Sequence, residues 1–86
     1  MTRFTIDGSG RYTVPESSLP QAIQRLAAFE DVLEELAIGQ ADIPLELAKL
    51  KAAGKEKTVR YRELLGQKLL LNEMAALLER HGIRLG

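Results

Sequence analysis

Eighty-six residues allow one domain at most, and at that size folding buries only about 60% of the surface the unfolded chain exposes, so the core is thin. The chain has neither Cys nor Trp, which excludes disulfides and thiolate zinc sites as reinforcement, while an apolar share of 45% separates it from disordered sequences. The formal charge of zero conceals a split: residues 1–48 hold three basic and eight acidic side chains, a net −5, and residues 49–86 hold nine basic and four acidic, a net +5. Opposite charges on helices favour one pairing and penalise others, so the split reads as assembly information.

Arg3-Phe4-Thr5-Ile6 and Arg11-Tyr12-Thr13-Val14 each alternate polar and apolar residues around Asp7-Gly8-Ser9-Gly10, the pattern of a β-hairpin over residues 1–15. Pairing Ile6 with Tyr12 and Phe4 with Val14 puts all four apolar side chains on one face, leaving a three-residue Gly8-Ser9-Gly10 loop with Gly10 in the left-handed position. A lone hairpin is marginal in water, so that face is expected on helices or on another chain.

Pro15 ends the second strand. Ser18 with Gln21 three residues on resembles a capping box, and Pro20 falls in the first turn, where its missing N–H costs nothing. Leu19, Ala22, Leu26, Phe29, Leu33 and Leu36 then step by three and four, predicting a helix over 18–38 that Gly39 stops. On its other face Glu30/Glu34 and Asp31/Glu35 are like-charged i,i+4 pairs that a basic neighbour would relieve, so this helix is expected close to residues 49–62, within or between chains.

Asp42-Ile43-Pro44 repeats the start chemistry of Ser18-Leu19-Pro20 and predicts a short helix over 43–53, closed by Gly54. Lys55-Glu56-Lys57 is a polar connection. Thr58 caps a third helix over 58–81, with Gly82 at its C-terminal position. That helix is apolar over a wide arc. Tyr61, Leu64, Leu71, Ala75 and Leu78 form one stripe; Leu70, Met74, Leu77 and His81 form the adjacent one; Leu65 and Leu69 lie off both. A helix packed on one neighbour needs a stripe of about 100°. This one has more to bury, which makes Tyr61, Leu64, Leu70, Leu71, Met74, Leu77 and Leu78 the candidate self-association surface.

The residues offer little chemistry. Gly8-Ser9-Gly10 follows a strand but lacks the Lys-Ser/Thr of a phosphate loop and the third glycine of a dinucleotide fingerprint, so turn chemistry accounts for it. The acidic spacing of a calcium loop is absent. His81, the one histidine, reads as a helix-end residue on the dipole beside Gly82, and no convergent acid, base or metal-ligating set accompanies it. No cofactor is implied. In the basic run over 49–62, Lys55, Lys57, Arg60 and Arg62 with Tyr61 nearby form the alternative, nucleic-acid-binding reading, against which stand a pI near 6.6 and the acidic half of the same chain. No stretch approaches the ~20 apolar residues of a membrane span, nor does the N-terminus carry the apolar core of a signal peptide, and the expected location is cytoplasmic.

Arg25-Leu26-Ala27-Ala28-Phe29-Glu30-Asp31 resembles a stretch common in small proteins of phages and integrated elements of Gram-positive bacteria. Residues 57–69, Lys57-Thr58-Val59-Arg60-Tyr61-Arg62-Glu63-Leu64-Leu65-Gly66-Gln67-Lys68-Leu69, followed by Leu77-Leu78-Glu79-Arg80-His81-Gly82, are similar to the C-terminal part of uncharacterised members of that group. One departure is that Val32-Leu33-Glu34-Glu35-Leu36 continues the helix where the group often restarts it. The resemblance implies a mobile-element origin and supplies no activity. The expectation is thus a mainly α, α+β single domain over 1–86. An N-terminal hairpin precedes an antiparallel helical hairpin or three-helix arrangement that forms an oligomeric bundle. Such a prophage-type protein is not an enzyme; it associates with itself and acts through contacts with a host or phage protein.

Overall fold

The computed structural model describes residues 1–86. It is mainly helical, with strands β1 (Ile6–Gly8) and β2 (Arg11–Thr13), a one-turn 3₁₀ helix at Glu16–Ser18, and helices α1 (Leu19–Ala52) and α2 (Val59–Arg80). The chain comprises two compact units, residues 1–32 and 33–86.

In the first unit the hairpin forms, but one residue out of the expected register. Ile6 pairs with Thr13, Asp7 with Tyr12 and Gly8 with Arg11, so the loop has two residues, Ser9 and Gly10, at φ +56° and +85°. Two successive positive φ angles make the turn whose twist matches that of the flanking strands. The expected pairing of Ile6 with Tyr12 would have gathered the apolar side chains on one face. In the observed register Ile6 and Tyr12 point to opposite faces, and both are exposed. Where no core presses on one side, turn geometry sets the register. Arginines cover the aromatic rings instead. The Arg3 guanidinium lies 5.3 Å from the centre of the Tyr12 ring and that of Arg25 lies 4.0 Å from the centre of Phe4, and Arg25 donates a hydrogen bond to the Thr2 carbonyl.

The expected helices over 18–38 and 43–53 are one 34-residue helix, and the three-helix arrangement gives way to two helices. Both supposed breakers lie inside α1. Pro44 removes one N–H, the donor to the Gln40 carbonyl, at a typical helix-interior cost of about 3 kcal/mol. The helix persists because its inward stripe runs across that point: Leu36, Ile43 and Leu47 are its buried side chains, each fully buried residue of this kind being worth roughly 1.5–3 kcal/mol. Gly39 is a close-approach position. A Cβ there would stand 2.8 Å from Leu71 Cδ1 of α2.

Both helices end alike. At the end of α1 the Lys55 N–H reaches the Leu50 carbonyl (2.8 Å) and the Gly54 N–H that of Lys51 (3.0 Å), with Gly54 at φ +71°. At the end of α2 the Ile83 N–H reaches Leu78 (2.9 Å) and the Gly82 N–H Glu79 (3.0 Å), with Gly82 at φ +81°. Each is a Schellman closure, in which a residue without Cβ takes the left-handed position. Thr58 starts α2 as expected: its hydroxyl accepts from the Tyr61 N–H (3.3 Å) and donates to the Lys55 carbonyl (2.7 Å). In the second unit α2 therefore returns antiparallel along residues 36–50 of α1, and Ile43, Leu47 and Leu64 form the core with Leu50, Tyr61 and Leu71 packed around them.

Candidate functional site

No group of three or more His, Asp or Glu residues is arranged to hold a metal ion, and no polar side chain is buried. His81 caps the C-terminus of α2 in an exposed position. No helix is long and apolar enough to cross a membrane.

The surface carries the information. Only four apolar side chains are buried, Leu36, Ile43, Leu47 and Leu64, whereas sixteen large ones are exposed. Helix α2 shows how this arises. Its stripe of Tyr61, Leu64, Leu71, Ala75 and Leu78 is buried or half-buried throughout, and Leu64 is 1% exposed. The structure thus divides the seven residues expected to mediate self-association. Leu64 lies in the core, Tyr61 and Leu71 pack against it and Leu78 is half-buried, so Leu64 has no surface to offer a partner. Leu70, Met74 and Leu77, exposed by 57%, 36% and 49%, form a second stripe beside the first. Leu65 and Leu69 are exposed on the other flank of the inward stripe.

The first unit has its own apolar surface. Leu19, Ile23, Leu26 and Phe29 are exposed on α1, although four-residue and three-residue steps marked Leu19, Leu26 and Phe29 as a seam. A groove of about 380 Å3 runs between the N-terminal segment and the helix, lined by Met1, Phe4, Ala22, Leu26 and Phe29, with Arg25 at its edge. The Arg25–Phe4 stack has no sequence signature, since a single Phe and a single Arg 21 positions apart leave no periodic signal.

The basic segment is only partly free. Arg60 pairs with Glu46 at 3.2 Å, both side chains being more than half exposed, and the half-buried Tyr61 ring packs on the core and so is not a free stacking platform. Lys55, Lys57 and Arg62 are exposed and have no carboxylate partner. Glu34 and Glu35 make no ion pair with residues 49–62, and the one ion pair of the molecule is Arg60–Glu46. The charge split is therefore not neutralised by pairing inside the chain. No protein-family model matches this chain, and no curated protein or solved structure matches it either.

Proposed function

We propose that this chain is a small, non-enzymatic, self-associating protein of phage or prophage type that acts in the cytoplasm through protein–protein contacts. Its first partner is a second copy of itself, and a host or phage protein is the onward one. One observation carries the self-association. A folded monomer of 9.5 kDa exposes about 5,000 Å2, whereas this chain exposes 7057 Å2. The excess, roughly 2,000 Å2 per chain or about 4,000 Å2 for two, falls within the total of about 2,000–5,000 Å2 that obligate dimers bury. It coincides with the exposed Leu, Ile, Val, Phe and Met side chains, which are costly in water and adhesive. The mobile-element origin rests on the resemblance of residues 25–31 and 57–69.

Sedimentation velocity at micromolar concentration tests the reading. The expected result is a species of twice the chain mass or more, with dissociation only on strong dilution. A single species of chain mass across that range would overturn it.

A further inference from the structure

Residues 63, 67, 70, 74, 77 and 81 are separated by four, three, four, three and four positions, the spacing of a heptad seam. All six side chains, Glu63, Gln67, Leu70, Met74, Leu77 and His81, are exposed on α2 or at its cap, beside the stripe that α1 occupies. The middle of the seam is apolar. Its ends are polar, with a carboxylate at one end and the imidazole at the other.

We propose that two copies of the chain pair antiparallel through this seam, in one register fixed by its ends. In antiparallel helix pairs the two kinds of seam position alternate across the interface. That layering sets Leu70 against Met74 of the second copy, Gln67 against Leu77, and Glu63 against His81. The arrangement is isologous: every contact occurs twice, related by a two-fold axis at the level of Asn72. The competing parallel, in-register pair would stack Glu63 on Glu63 and His81 on His81, a like-charge juxtaposition at one end of the seam. Antiparallel packing also opposes the two helix dipoles. With α1 of each copy on the outer side, the product is a four-helix arrangement. A second copy is the occupant because its seam is complementary to this one, setting the Glu63 carboxylate against the His81 imidazole and the exposed Leu70 against the exposed Met74. The inference rests on the self-association proposed above and deepens it by naming face, polarity and register.

The absence of cysteine makes the register directly testable. Glu63→Cys and His81→Cys chains are prepared separately, mixed, and oxidised. Antiparallel pairing gives a mixed disulfide between the two variants, and the doubly substituted chain gives a dimer linked twice. Glu63→Cys alone linking to itself faster than it links to His81→Cys would establish the parallel register and overturn the proposal. In parallel, Leu70→Glu, which changes an exposed residue and leaves the core intact, should raise the dimer dissociation constant by about 100-fold or more, since the seam contains the substitution twice, with helicity retained. Sedimentation keeps the two readings apart. If the unsubstituted chain is a monomer, both fail. If it remains an oligomer while neither cysteine links and Leu70→Glu has no effect, another face mediates association and only this inference fails.

Discussion

Two adjacent stripes of α2 carry nearly the same side chains and have opposite fates. Tyr61, Leu64, Leu71, Ala75 and Leu78 face inward, with Leu64 almost wholly removed from water; Leu70, Met74 and Leu77, a short rotation away, stand in solvent. Hydrophobicity alone does not tell them apart. The difference lies in which stripe continues a neighbour's: the first packs with Ile43, Leu47 and Leu50 of α1, and the second lies outside that core. One stripe holds the fold together and the other is available for work.

The largest effect that separates the stripes is cavity formation. Leu64→Ala should destabilise the chain by about 2–5 kcal/mol, since the side chain is buried among Ile43, Leu47 and Leu71. Leu70→Ala should cost a folded monomer less than about 0.5 kcal/mol and act mainly on association. Urea denaturation at several protein concentrations reads both: the loss in Leu64→Ala should be the same at every concentration, and that in Leu70→Ala should grow as the protein is concentrated. Identical behaviour of the two variants would erase the distinction between the stripes.

A sharper probe is Gly39, against which Leu71 of the inward stripe packs. The methyl of Gly39→Ala would meet Leu71 Cδ1 at 2.8 Å, so Leu71 must swing aside. That strain opposes a gain of about 0.5–1 kcal/mol from helix propensity. The expected net is a change of under about 1 kcal/mol alone, with the propensity gain recovered in full when Leu71 is already Ala. A thermal-denaturation double-mutant cycle without coupling would show that Gly39 is not a packing position. The smallest effect belongs to the exposed Arg60–Glu46 pair, whose coupling should be about 0.2–0.5 kcal/mol and fall with salt. A salt-independent coupling above about 1 kcal/mol would mean that the pair is shielded from solvent, as in an interface.

The legible parts of this molecule are those decided locally. The Thr58 cap, the Gly54 and Gly82 closures and the two stripes of α2 follow from side chains a few positions apart, and each is found where the spacing put it. Gly39–Pro44 carries the local chemistry of a helix end and a new start, while burial of Leu36, Ile43 and Leu47 holds one helix through it. The hairpin register failed for the opposite reason. Burial of the apolar face would favour Ile6 opposite Tyr12, and the Ser9-Gly10 turn sets Ile6 opposite Thr13 instead. For the candidate surface, a helical wheel supplied both stripes but not which of them α1 would take, so Tyr61, Leu64, Leu71 and Leu78 were grouped with Leu70, Met74 and Leu77.

The short connection between α1 and α2 also fixes an order of events. Glu46 and Arg60 are 14 positions apart along the chain, whereas Gly39 and Leu71 are 32 apart. Bringing the second pair together directly from the open chain costs about 0.7 kcal/mol more in loop entropy than the first. Loop entropy therefore favours closing residues 33–86 from the Gly54–Thr58 turn outward. Each step shortens the loop for the next, and such local closure belongs to fast-folding topologies. Leu64 lies six positions from the Thr58 cap of α2 and Leu71 thirteen, so the part of the core nearest the turn has the shorter loop to close.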